Sequence, residues 1–152
     1  MTSIRVQQAD FDIGAEFTAL GAGRTDIGGY GCFIGTVRDT ARGKKIVSMM
    51  LEHYPAMTEP AMARIAAEAQ TRWPLLGCTL IHRIGALLPG ENIVLVLTAS
   101  AHRQAALDAT SFLIDWLKTR APFWKKEVFS SGEESWVAAS EADDNAAAKW
   151  TT

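Results

Sequence analysis

Three features of the chain predict an α+β fold with a mixed sheet. Apolar segments arrive in neighbouring pairs, short turns join the members of a pair, and single amphipathic stretches of helical period separate the pairs. Strands joined by short turns imply antiparallel pairing, whereas intervening helices cross over the sheet. The regular strand and helix alternation of a doubly wound fold is absent.

The elements follow in order. Ile4 to Val6 forms a short strand, and Ile13, Phe17 and Leu20 recur at helical spacing before the turn-rich stretch Gly21 to Gly29. Tyr30 to Val37 is a buried strand, Thr40 to Lys45 a polar loop, and Ile46 to Tyr54 a second strand ended by Pro55. These two strands are expected to pair as a hairpin with a long, mobile tip. Thr58 serves as N-cap, with Pro60 in the first turn, for a helix whose stripe is Met62, Ile65, Ala66 and Ala69 and which stops at Trp73-Pro74. Thr79 to Ile84 and Ile93 to Ala99 are rich in Ile, Val and Leu, flank the Pro89-Gly90 turn and have the character of central strands. Ser100 caps a helix from Ala101 to Lys118 with Ala105, Ala109, Phe112, Leu113 and Trp116 inward. Phe123 to Phe129 and Trp136 to Ala138 are late strands around a Ser130 to Ser135 turn, and Ser140 opens a last amphipathic segment through Trp150.

A chain of 152 residues, 48% apolar and 21% charged, fits a single domain over residues 1–152 that needs neither disulfides nor a structural metal. Fifteen Lys plus Arg against seventeen Asp plus Glu give a net charge of -2, which disfavours broad affinity for nucleic acid but permits a local basic patch. Cys32 and Cys78 lie in apolar segments and are expected to be small buried hydrophobes in a reducing compartment, not a bridge or a metal pair. Met1 to Asp10 has no secretory pattern, and no window reaches the roughly 20 apolar residues that span a bilayer, so a cytoplasmic protein without membrane contact is expected.

Three basic clusters stand apart from the apolar stripes. Arg38 ends the Tyr30 to Val37 strand, and the Asp39 to Lys45 loop behind it carries Arg42, Lys44 and Lys45; strand ends and the loops after them commonly hold ligands. His102 and Arg103 follow an apolar strand at the start of a helix, where unpaired N–H groups and the helix dipole favour an anion. Cations are electrostatically misplaced there unless something negative arrives. The third cluster, Lys118 to Lys126, places four cations and no acid among Pro122, Phe123 and Trp124. Apolar walls and neighbouring cations lower a lysine pKa, and an accessible neutral amine acts as nucleophile or base. On a strand, Lys125 and Lys126 face opposite ways, so only one of them can share a pocket with Lys118.

Gly-rich phosphate loops with Lys-Ser or Lys-Thr, G-x-S-x-G elbows and H-E-x-x-H pairs are all absent. His53 and His82 lie on expected strands in structural roles, and Glu52 is a candidate partner for a nearby cation. Cys32 as a nucleophile is disfavoured, because burial raises a thiol pKa.

Gly35-Thr36-Val37-Arg38-Asp39, Leu51 to Met57, Ile81-His82-Arg83-Ile84-Gly85, Ser100-Ala101-His102-Arg103 and Lys118 to Glu127 together resemble the large, catalytic subunits of molybdopterin synthase. The blocks occur in the family's order from about Tyr30 to Trp150. The resemblance implies a fold of α/β-hammerhead type, with a mixed sheet and an added antiparallel subdomain. It also implies a sulfur transferase of molybdenum cofactor biosynthesis that converts cyclic pyranopterin monophosphate to molybdopterin without a cofactor of its own. The sulfur donor in that family is the C-terminal Gly-Gly thiocarboxylate of a small ubiquitin-like subunit, and two large subunits form a central homodimer within a heterotetramer. Position by position, Lys118 matches the principal catalytic lysine and Lys125 the second lysine. Arg38, His102 and Arg103 match anion- and pterin-binding positions, and Thr36, Val37, Lys126 and Glu127 fall in substrate-contact segments.

Ser140 departs from relatives that carry an Arg near that position, contributed across the dimer. The tail after Lys126 holds six acids against Lys149 alone, which suggests solvated surface or partner contact. Two rival readings are a non-catalytic homodimeric module that binds a phosphorylated small molecule through Arg38 and Arg103, and a single-stranded RNA binder using Trp124 and the basic run. The net charge of -2 speaks against the second.

Overall fold

Continuous Ile, Val and Leu runs suit strands covered on both faces, and the two longest such runs sit side by side in the computed structural model, which describes residues 1–137 and 141–151. The elements are β1 (Thr2–Gln7), α1 (Ile13–Gly21), β2 (Gly29–Thr36), β3 (Thr40–Ala41), β4 (Lys44–His53), α2 (Pro55–Arg72) and β5 (Leu75–Arg83). They continue with β6 (Gly85–Leu87), β7 (Asn92–Ser100), α3 (Arg103–Thr119), β8 (Phe123–Phe129), β9 (Glu134–Val137) and α4 (Glu141–Ala148).

One sheet has the order β1-β5-β7-β2, with β1 parallel to β5 and the other pairs antiparallel. Alternation along its central strands divides the core. Cys78, Leu80, Val94 and Val96 meet Met62, Ala66 and Ala69 of α2 and Phe112 and Leu113 of α3. On the other face Ile81, Leu95, Leu97 and Ala99 meet Phe11 and Leu20. The second sheet is antiparallel, with the order β3-β4-β8-β9 and β6 paired to β4. This is the expected α+β fold, a mixed sheet with an added antiparallel subdomain. No described helix is long and apolar enough to cross a membrane.

Several local expectations are corrected. The strands on either side of the Asp39 to Lys45 tip do not pair with each other: β2 joins β7 in the first sheet, and β4 joins β8 in the second. Thr40–Ala41 forms its own short ladder with Lys44 and Lys45, and β6 is a further short strand. Thr58 is not the N-cap. Pro55, whose fixed φ suits a first helical position, starts α2 after Tyr54, so Thr58 lies inside and its hydroxyl bonds back to the Tyr54 carbonyl at 2.7 Å. Ser100 is not a cap either, because the ladder continues through it and its buried hydroxyl donates to the Pro74 carbonyl at 2.9 Å. Helix α3 therefore begins at Arg103 behind His102, and Ala106, Thr110 and Leu117 join Ala109, Phe112 and Leu113 in its buried face, with Ala105 and Trp116 only half-buried. Cys32 is exposed, since it lies on the edge strand and faces away from α3; Cys78 is fully buried and its thiol is pushed up to about 12 by desolvation. The Ser140 position lies outside the described residues.

Close approach of α3 to β2 depends on Gly31. A Cβ there would lie 2.3 Å from Thr110 Oγ1 and 2.4 Å from the Ala106 carbonyl oxygen. Both atoms belong to the buried Thr98–Thr110 hydrogen-bond network that ties the helix to β7. Gly31→Val is therefore expected to destabilise the chain by about 1–3 kcal/mol or more, the scale of overpacking, as read from urea unfolding. An unchanged midpoint would show that α3 can back away without loss.

Candidate active site

Three chain segments end at one cavity. Strand β2 is closed by the Val37 N–H donating to Glu91 O at 2.9 Å and the Gly90 N–H donating to Val37 O at 2.8 Å, which buries Val37 and turns Arg38 out. Helix α3 brings Lys118 in its last turn, and the chain reverses through Ala121 and Pro122 into β8. Residues two apart on a strand share a face, so Phe123, Lys125 and Glu127 line up together. The result is a cavity of about 510 Å³ whose polar lining includes Thr36, Arg38, Lys118, Lys125, Glu127 and Asp143, over an apolar floor of Met49, Ile93, Leu117 and Phe123.

The lysines differ in character. Lys118 is exposed. Lys125 is half-buried opposite Leu51, and its pKa is pushed down to about 8, first by desolvation and then by the charge of Lys118; Asp143 and Glu127 oppose the shift. At pH 7 roughly one Lys125 in ten is a neutral amine, so the cavity holds a cation that gives up its proton readily. Glu127 is buried, 3.8 Å from the guanidinium of Arg42 at the hairpin tip.

Lys126 sits on the opposite face of β8, 3.6 Å from the Glu134 carboxylate and over the Trp136 ring, and does not line the cavity. His102 and Arg103 are exposed at the far end of α3 from Lys118, roughly 22–24 Å away at 1.5 Å per residue. They stand beside Gly28 and Gly29, where β2 starts, while Arg38 stands where it ends. Within one chain the structure thus groups Thr36, Arg38, Lys118, Lys125 and Glu127, and leaves Val37, Lys126, His102 and Arg103 outside.

Asp143 was not anticipated, since an acidic tail with one Lys has the pattern of solvated surface. Its placement follows from an anchor further along. Trp150 Nε1 donates to Asp115 Oδ2 at 2.7 Å, and the Trp150 ring packs edge-on against Trp73 and Phe112. That aromatic contact fixes the C-terminal end of α4 on α3, with Asp143 left at the cavity. Among the described residues, no group of three His, Cys, Asp or Glu could hold a metal ion.

The family model described as MoaE protein matches residues 6–120. The chain is 54% identical over 149 residues to the molybdopterin synthase catalytic subunit of Mesorhizobium japonicum, covering 97% of this chain and 92% of the relative. Identity to the molybdopterin synthase catalytic subunit of Pseudomonas aeruginosa is 55% over 148 residues, covering 97% and 98%. A solved structure described as molybdopterin biosynthesis MoaE protein, from Burkholderia ambifaria, superposes with a TM-score of 0.84 at 48% identity, covering 100% of this chain and 99% of that one.

Proposed function

The chain belongs to the MoaE family, the catalytic subunits of molybdopterin synthase, and we propose that it transfers sulfur from the thiocarboxylate of a small ubiquitin-like subunit to cyclic pyranopterin monophosphate. The observation that supports this reading is the meeting of Arg38, Lys118 and Lys125 at one cavity with an apolar floor. A phosphorylated pterin needs a guanidinium for its anion and a flat wall for its ring. A peptide tail ending in two glycines needs a narrow cationic entry.

In this reaction Arg38 holds the phosphate. Lys118 activates sulfur transfer, as a base or by transient bonding to the tail carbonyl, and Lys125 neutralises the negative charge that develops. Thr36 and Glu127 orient the substrate. His102 and Arg103 are too distant to serve the cavity of their own chain, so in the proposed homodimer they serve the cavity of the other protomer. One small subunit at each end completes a heterotetramer.

The test is to incubate the purified chain with a thiocarboxylated small subunit and the cyclic pterin and to assay the dithiolene product. Product that depends on all three components is expected. Absence of product while the small subunit and the pterin both bind would overturn the reading.

A further inference from the structure

The mechanism above leaves His82 unused, although it is buried and stands where the two sheets meet. We propose that His82 is a positioning residue for Lys125: its ring, stacked on Phe123, holds the apolar wall that keeps water from the Lys125 amine. The inference rests on the assignment of Lys125 to the reaction.

The contact is close and planar. The His82 and Phe123 rings have centroids 3.7 Å apart and an interplanar angle of 13°. His53, the cross-strand partner of Phe123 on β4, has its ring centroid 6.2 Å from that of Phe123 at an interplanar angle of 25°. His82 comes from β5 of the mixed sheet and Phe123 from β8 of the antiparallel one, so the stack fixes the start of β8 against the neighbouring layer. Lys125 follows two residues later on the same face, beside Phe123 in the cavity wall. Any loosening of Phe123 admits water next to the amine.

The imidazole acts by its shape, not as an acid or base. His82 is 4% exposed, and its Nδ1 lies 2.8 Å from the Arg83 carbonyl, which can only accept, so Nδ1 carries the hydrogen. Burial, followed by the charges of Lys125, Lys118 and His53, pushes its pKa down to about 3, with the Arg83 carbonyl acting the other way. The ring therefore stays neutral at any pH at which Lys125 titrates. His53 is held by its own contact, Nδ1 to Thr58 Oγ1 at 3.1 Å. Lys118 from α3, Asp143 from α4 and Glu127 from β8 act on the Lys125 charge, and Arg38 beyond the end of β2 lines the same cavity; a change at position 82 replaces none of these groups.

The experiment measures the Lys125 amine directly in the full chain. Trace acetic anhydride is applied across pH 6–11 and labelling at each lysine is read by peptide mass spectrometry, with Lys44 and Lys45 on the hairpin tip as internal references. Wild type should half-label near pH 8, in line with the value of about 8. In His82→Ala the midpoint should rise by about one unit, which lowers Lys125 labelling at pH 8 about fivefold. His82→Phe, which restores a flat ring on Phe123, should track wild type. Where His82→Ala does not fold, His82→Asn keeps a donor for the Arg83 carbonyl but leaves Phe123 without a stacked ring, and it should show the same rise. A midpoint that does not move in either variant overturns the proposal, as does His82→Phe shifting as far as His82→Ala. Since labelling needs neither pterin nor small subunit, this pattern stands or falls separately from product formation.

Discussion

Lys118→Ala should lower turnover by more than about 100-fold, the usual scale for one essential proton-transfer or electrostatic group, with fold and small-subunit docking unchanged. The side chain is exposed, so its removal opens no void, and the buried Leu117 beside it continues to anchor the last turn of α3. The loss of a cation near a helix C-terminus costs about 0.3–1 kcal/mol, well under the stability of a domain of this size. Turnover, urea midpoint and affinity for the small subunit, measured on one preparation, separate the effects. Near-normal product formation in Lys118→Ala would remove Lys118 from the mechanism. Lys118→Arg then distinguishes the chemistry: a guanidinium keeps the charge but neither gives up its proton nor bonds to a carbonyl, so activity recovered by Arg would reduce the role to electrostatics.

Much of this site was legible because its chemistry is local. The alternation of Lys125 and Lys126 on a strand is a two-residue rule, and the structure places Lys125 in the cavity and Lys126 against Glu134 on the other face. Arg38 at a strand end and Lys118 at a helix end likewise follow from element boundaries. The rest depends on distant pairings that no window of sequence contains. The strands flanking the Asp39 to Lys45 tip had the look of a hairpin, yet each finds a stronger partner elsewhere, β2 in the buried β7 and β4 along the length of β8. Cys32 had the apolar neighbours of a core residue, but being on an edge strand left it uncovered. The block carrying His102 and Arg103 is joined to Arg38 by the resemblance and by a shared suitability for anions, whereas within one chain the length of β2 separates it from Arg38 and the length of α3 separates it from Lys118. Asp143 reaches the cavity because Trp150, seven residues later, docks on α3; the amphipathic tail shows Trp150 but not the distant Trp73, Phe112 and Asp115 that receive it.

Lys125→Met is expected to abolish most activity and yet stabilise the chain at neutral pH. Turnover should fall by more than about 100-fold, since the cavity loses the cation set against developing negative charge. The stability effect follows from the lysine pKa of about 8 in the folded chain against the ordinary 10.5. Below pH 8 both folded and unfolded chains hold the proton, and the folded chain carries the cost of a poorly solvated charge. Between about pH 8 and 10.5 the folded chain releases the proton while the unfolded chain keeps it, so the unfolded state binds more protons and stability rises with pH. Above that window both amines are neutral and the penalty is gone. Methionine removes the penalty at every pH and fills nearly the same volume, so its advantage should be about 1–2 kcal/mol at pH 7, allowing for partial exposure and the nearby carboxylates. For a chain of this size that is a rise in Tm of about 3–6 °C, shrinking to nothing as the pH passes 10.5. A lower Tm for Lys125→Met at pH 7 would mean that the amine is well solvated in the fold. The cavity could then no longer be credited with lowering the proton affinity of Lys125, and its part in the reaction would have to rest on charge alone.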